Sequence, residues 1–235
     1  MRIFIIAGEP SGDKLGGALM AELMQLRPDV EFCGIGGVQM EALGLKSLFP
    51  MTELSVMGIA EVLPKYHALM ARIKQTAKEV IETRPDVLIT IDSPDFSFRV
   101  AKRVKAASNV RTVHYVAPAV WAWRPRRAAK IARFIDHVLA LFPFEPPLFN
   151  AQGIDCDFVG HPVVSEPVAT EADALAFRDT EGIGPAPTLL ALPGSRRGEV
   201  ARLGEVFGQA ITPLLARHPD LRVVVPAAAP VLEDR

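Results

Sequence analysis

Short, almost wholly apolar runs alternate with longer helical stretches along this chain, and that alternation constrains its fold more than any other feature. The runs are RIFIIAG (2–8), EFCGIG (31–36), DVLITID (86–92), RTVHYVA (111–117), HVLALFP (137–143) and DFVGHP (157–162). Strands buried on both faces read as continuous hydrophobic runs, whereas strands with one wet face alternate. Helical patterns fill the gaps, at 12–27, 38–44, 64–83, 95–107, 125–134 and 145–152. Strand, helix, strand, repeated, predicts an α/β fold built on a doubly wound parallel sheet. Breakers stand where such helices should end, at Pro28, Pro85 and Gly153, and Pro64 suits a helix's first turn.

The rhythm lapses at 163–187. This stretch carries Pro167, Pro185, Pro187 and a cluster of acids, with a short helix expected at 171–179. It resumes with TLLALPG (188–194), a helix at 197–217 and LRVVVPAA (221–228). The expected organisation is a Rossmann-like domain over 1–165, a linker over 166–187 and the start of a second Rossmann-like domain over 188–235. Two strands and one helix are too little for an independent core, so the chain reads as a fragment of a longer protein, the alternative being that the last unit packs onto the first domain.

Composition removes several function classes. The net charge of −1 over 235 residues argues against general nucleic-acid binding. The two cysteines, Cys33 and Cys156, are far apart in apolar stretches and suit neither a metal site nor a disulfide framework. No apolar stretch approaches the roughly 20 residues of a spanning helix, and MRIFIIAGEPSGD reads as a first strand, not a signal peptide. A cytoplasmic protein is expected.

Open parallel sheets bind ligands beyond the carboxyl ends of their strands. After the first strand comes Gly8-Glu9-Pro10-Ser11-Gly12-Asp13, whose acids stand where a dinucleotide pyrophosphate needs bare amides. The loop suits a sugar or other hydroxylated substrate, or is a tight turn with Ser11 or Asp13 as helix N-cap. After the third strand come Asp92 and Asp95. Asp95 fits the N-cap of the next helix, which leaves Asp92 free to act as a general base or to remain a solvated acid. After the fourth strand come both tryptophans of the chain, Trp121 and Trp123, then Arg124 and a helix bearing Arg126, Lys130 and Arg133 on one face. These suit a sugar, a phosphate or an anionic surface, or simply a solvated face. Tyr66, Leu69, Met70, Ile73 and Ala77 form a helical stripe that reads as core, beside an apolar remainder of Met57, Ile59, Val62 and Leu63.

At the carboxyl end of the first strand of the second unit stand Gly194, Ser195, Arg196 and Arg197. Helix-end amides and a guanidinium make a site for an anionic phosphate. An acceptor and base on one domain, facing a phosphorylated donor on the other, describe glycosyl transfer from a nucleotide-sugar.

Seven motifs run in order along the chain: A-G-E-x-S-G-D (7–13), V-M-G-I-x-E-V-L (56–63), I-D-x-P-D-F (91–96), H-Y-V-x-P-x-V-W-A-W-R (114–124), P-F-E (143–145), F-x-G-H (158–161) and L-P-G-S-R (192–196). In these the chain resembles the lipid-A-disaccharide synthase family, two-domain glycosyltransferases of the GT-B type. The resemblance implies transfer of 2,3-diacylglucosamine from its UDP donor to 2,3-diacylglucosamine 1-phosphate. The product is a β-1,6 disaccharide, formed with inversion in lipid A biosynthesis. It implies Asp92 as base and Arg196 as the arginine on the leaving phosphate. Glu9, Ser11, Gly12, Asp13, Asp95, Trp121, Trp123, Arg124, Gly194, Ser195 and Arg197 become candidate substrate contacts. It also implies a peripheral protein on the inner face of the inner membrane, with Met57, Ile59, Val62, Leu63, Tyr66, Leu69 and Met70 as a lipid-facing patch. No metal and no cofactor are expected, because amide dipoles and arginine can carry a diphosphate's charge. An oligomer is left open. Family members continue through a full second domain, so this chain alone is expected to transfer no sugar. The rival readings are a UDP-sugar 2-epimerase of the same architecture, a fragment that only binds lipid or membrane, and an NAD-dependent enzyme. The last lacks the glycine fingerprint in its first loop.

Overall fold

A computed structural model of the chain describes residues 1–54, 59–123, 126–194 and 197–226, with the side chains of 59–65, 122, 123 and 197 outside that description. The chain divides into two compact units, Met1–Glu166 and Pro167–Arg235.

The first unit is a six-stranded parallel sheet. Its strands are β1 (Arg2–Ala7), β2 (Glu31–Ile35), β3 (Val87–Ile91), β4 (Arg111–Tyr115), β5 (His137–Ala140) and β6 (Asp155–Phe158), in the order β2-β1-β3-β4-β5-β6. The inner strands are buried along almost their whole length: every residue of β3 is buried, and so is all of β1 after Arg2. This is the environment that their β-branched, uninterrupted apolar sequence suits. The helices are α1 (Pro10–Leu26), α2 (Val38–Ala42), α3 (Ile59–Thr83), α4 (Pro94–Ala107), α5 (Val120–Trp123), α6 (Arg126–Ile131) and α7 (Pro146–Asn150). Right-handed crossovers in opposite directions from β1 place α1 on one face and α3 and α4 on the other, where α3 and α4 pack together. Ile73 and Ala77 of α3 are fully buried, and Leu69 and Met70 lean on the core. Tyr66 departs from the expected core stripe, at 43% exposed.

Several predicted boundaries move. Helix α3 starts at Ile59, ahead of Pro64, and α6 ends at Ile131, which leaves Arg133 in the turn beyond it. Strand β6 starts at Asp155, because its pairing with His137–Ala140 sets the register. Glycines fit β2 against β1: at Gly34 (φ 142°) a Cβ would fall 1.9 Å from the Ile5 carbonyl oxygen.

The second unit contains α8 (Glu171–Thr180), β7 (Thr188–Leu190), α9 (Arg197–Arg217) and β8 (Arg222–Val224), with β7 and β8 parallel. Thr170 and Asp173 form a reciprocal capping box at the start of α8. Arg178 ties the helix to the approach to β7 through the carbonyls of Gly184 and Ala186 and the Thr188 hydroxyl.

Candidate active site

In the first unit the strand order reverses between β1 and β3. Chains leaving these two neighbours diverge, and a crevice opens beyond their carboxyl ends. Asp92 and Ser93 emerge there from β3 with φ of 46° and 44°, two consecutive non-glycine residues in the left-handed region. Such torsions cost about 1–2 kcal/mol per residue, less for Asp, and persist only where neighbours hold them. Here they are held from three sides. The Asp92 amide donates to the Tyr115 carbonyl at 3.1 Å. The buried Ser97 hydroxyl donates to the Asp92 carbonyl at 2.9 Å. The amides of Phe96 and Ser97 donate to the Ser93 carbonyl at 3.1 and 3.0 Å.

Ser93, not Asp95, is therefore the N-cap residue of α4. Pro94 follows with a backbone already set for a helix's first position. Asp95 lies exposed in the first turn, where its charge favours the helix dipole. Asp92 is half-buried, and among the described residues its carboxylate has no hydrogen-bond or ion-pair partner. A fixed backbone with an uncommitted carboxylate is the local arrangement a general base requires.

The β1 loop meets this turn directly. A Cβ on Gly8 would fall 2.5 Å from the Ser93 hydroxyl oxygen, so only glycine lets the two loops touch. Glu9 is the N-cap residue of α1, Ser11 is exposed in its first turn, and Gly12 is buried against β3. Asp13 corrects the expectation of a substrate contact. It is 4% exposed, and its carboxylate accepts the amides of Gly37, Gln39 and Met40 at 2.7, 2.9 and 3.2 Å. Its oxygens cap α2, 24 residues or more along the chain, not its own helix. A Cβ on Gly37 would strike that carboxylate at 2.8 Å, which explains the glycine at 37.

Beyond β4, Val116 has φ 77° and donates its amide to the Leu139 carbonyl at 3.1 Å. A β-branched residue at that φ is a true outlier, and it directly follows β4, the strand next to the one that carries Asp92. The chain then enters α5, where Trp121 is 54% exposed. Beyond β5 lie two aromatics that the sequence reading gave no role, Phe142 and Phe144. They stack at 5.6 Å with planes 10° apart, and Trp121 meets Phe144 edge-on at 5.4 Å. Glu145 behind them is buried. Burial pushes its carboxyl upward, offset in part by the Phe142 amide, which donates to it at 3.0 Å. The P-F-E motif at 143–145 was the available signal, since an acid closing the run Phe142-Pro143-Phe144 invites a question about its partner.

Arg126, Lys130 and Arg133 are exposed, while Arg127 lies 5.7 Å over the Phe98 ring. Several expected site residues fall outside the described residues: Met57, Arg124, Ser195 and Arg196 entirely, and the side chains of Ile59, Val62, Leu63, Trp123 and Arg197. Gly194 is described. Its φ is 135°, and a Cβ there would fall 2.5 Å from Glu199 Cβ, so the turn into α9 needs glycine. Among the described residues no helix is long and apolar enough to cross a membrane. A polar hollow of about 560 Å³ lies at the opposite edge of the sheet, lined by Arg111, His137 and Asp155 among others. These three open their strands, so the hollow is remote from the ligand-binding edge.

The profile of the lipid-A-disaccharide synthetase family matches residues 3–235. The chain belongs to that family. It is 66% identical over 234 residues to the lipid-A-disaccharide synthase of Ruegeria pomeroyi, covering 100% of this chain and 58% of that protein. It is 53% identical to the same-named protein of Rhodospirillum centenum, covering 98% of this chain and 58% of that one. The chain thus spans a little under three fifths of these synthases. Among solved structures it is similar to the UDP-GlcNAc 2-epimerase of Neisseria meningitidis bound to UDP-GlcNAc, with TM-score 0.60, 12% identity, and 97% of this chain and 66% of that one covered. It is also similar to Anabaena HepE in complex with UDP and glucose, with TM-score 0.56, 13% identity, and 95% and 68% covered. Likenesses at such low identity concern the fold, and the fold they share is the GT-B-type α/β architecture that the synthetase family was expected to have.

Proposed function

We propose that this chain forms the acceptor side of a lipid-A-disaccharide synthase. In this reading the 6-hydroxyl of 2,3-diacylglucosamine 1-phosphate attacks the anomeric carbon of UDP-2,3-diacylglucosamine. The new C–O bond forms as the bond to the UDP oxygen breaks, the anomeric centre inverts, and the hydroxyl proton passes to Asp92. The observation that carries the proposal is the Asp92 carboxylate, uncommitted at the switch point of the sheet, on a left-handed turn held from both neighbouring elements. A single in-line displacement needs one base and no covalent intermediate, so one positioned carboxylate suffices. Ser11 and Gly8–Gly12 border the same crevice and suit the acceptor's hydroxyl groups.

The family relationship supports the choice of acylated substrates, and it supports Arg196 as the contact to the leaving diphosphate. It also supports attachment to the inner face of the inner membrane, where both substrates reside. The experiment is a transfer assay on a chain of the length its relatives have, with both acylated substrates. The expected result is a β-linked disaccharide and one UDP per bond formed. Turnover of unacylated UDP-GlcNAc, with no disaccharide from the acylated pair, would favour the 2-epimerase chemistry and contradict the proposal.

A further inference from the structure

The aromatic group beyond β4 and β5 remains to be explained. Trp121, Phe142 and Phe144 are 54%, 47% and 49% exposed. They are not scattered surface residues, because each ring touches another of the three: Phe142 stacks on Phe144, and Trp121 stands edge-on to it. Together they leave roughly 300 Å² of apolar surface open, taking half of the area typical of such rings. A contiguous apolar patch of about 300 Å² reaches the size of the largest patch on a typical monomer, which is often functional.

Glu145 makes this group a built structure. It is one of the few buried charged side chains of the unit. Its carboxylate accepts the Phe142 amide at 3.0 Å. One buried acceptor thereby fixes the turn at the exit of β5, and Phe144 in that turn meets Trp121 of the helix after β4. A buried carboxylate is costly unless its hydrogen bonds are made, so its donors are held to it.

The position selects the occupant. Strands β3, β4 and β5 are consecutive neighbours. With about 4.8 Å between strands, β4 and β5 lie about 5 and 10 Å along the sheet from β3, whose end carries Asp92. Asp92 is tied to Tyr115, and Val116 to Leu139, by backbone hydrogen bonds across those strands. A contiguous apolar surface beside the strand that carries the proposed base suits an apolar appendage of the sugar being processed. We infer that Trp121, Phe142 and Phe144 form a docking platform for an acyl chain of the sugar substrate, and that Glu145 is the positioning residue that holds it. The inference rests on the acylated-sugar reading above. It accounts for Glu145 within the P-F-E motif and for Trp121 within the longer tryptophan motif.

Trp121 provides the readout, since the chain has only two tryptophans. In a Trp123→Phe background, the full chain is titrated with short-chain 2,3-diacylglucosamine 1-phosphate kept below its critical micelle concentration. The expected result is a saturable blue shift of Trp121 emission, absent with unacylated glucosamine 1-phosphate. Phe142→Ala with Phe144→Ala should weaken that binding at least tenfold, and both rings are exposed enough for the fold to survive. Glu145→Gln, which offers one acceptor oxygen in place of two, should make Trp121 more open to acrylamide quenching and weaken the acylated probe at least threefold. Equal binding by the double alanine variant would overturn the platform, and unchanged quenching and affinity in Glu145→Gln would overturn the positioning role. A shift produced by phosphatidylglycerol vesicles but not by the monomeric probe would overturn the acyl assignment in favour of a membrane contact. Binding is read without turnover. A failed titration beside a normal transfer assay therefore counts against the platform alone, and a failed transfer assay beside a normal titration against the function alone.

Discussion

Two residues beyond the end of the first strand carry different duties: Asp13 caps a distant segment, and Gly8 meets the turn that bears Asp92. Asp13 satisfies three amides of another segment. Asp13→Ala would leave those donors buried without an acceptor, at a cost of about 1–3 kcal/mol for each that stays unsolvated. We expect a large drop in thermal stability, measurable by calorimetry, whether or not substrate is present. A variant of normal stability that has lost only substrate affinity would return Asp13 to the ligand side. Gly8→Ala should behave differently. Its Cβ would press on Ser93, not on the core, so the expected loss is in turnover first, with a smaller loss in melting temperature. The place of Asp92 was legible in the sequence, because a carboxylate ending an apolar run stands at a strand's ligand edge. The capping logic beside it was not. Asp95 is an ordinary N-cap residue by type, but a left-handed turn hands that position to Ser93, and such a turn has no signature in residue type.

At the scale of elements, β4 carries a buried histidine that sets the acid limit of the fold. His114 packs 4.6 Å from the Phe98 ring of α4, and its Nδ1 lies 2.8 Å from the Thr90 hydroxyl of β3. Burial, with the nearby Arg127 charge, pushes its pKa down to about 3. The folded state therefore binds fewer protons than the unfolded chain between the ordinary histidine value near 6.5 and about 3. Stability should fall as pH drops through that window, by about 1.4 kcal/mol per unit at the steepest. Urea titrations of the wild type and His114→Gln across pH 4–7 should show a shallower acid loss in the variant. Parallel curves would contradict the assignment. On the outer pair, Gly34→Ala should prevent β2 from closing on β1, since a methyl cannot fit 1.9 Å from a carbonyl oxygen. Element types were legible because buried parallel strands are unbroken apolar runs. Their limits were not, since partners fix them: β5 ends at Ala140, and the apolar Phe142 that prolongs its pattern turns outward.

For the whole molecule, the central expectation is that the two units differ in self-sufficiency. The first holds a six-stranded sheet with a continuous core. The second, among its described residues, has two strands and leaves Leu190, Leu192 and Val206 more than half exposed. A chain of residues 1–166 should unfold cooperatively on its own, within a few degrees of the same transition in the longer chain. A broad, non-cooperative melt would contradict the division. The broad architecture was legible from rhythm alone, and the site only in part. The strand ends could be listed from sequence, but the meeting of Gly8 with Ser93 and of Trp121 with Phe144 depends on strand order. The measurement closest to the core of the account is single-turnover kinetics of Asp92→Asn in a chain of the relatives' full length. The amide keeps the shape and removes the base, so kcat should fall by about 10²–10⁴, with acceptor affinity nearly unchanged. A variant that transfers sugar at close to the normal rate would contradict the account.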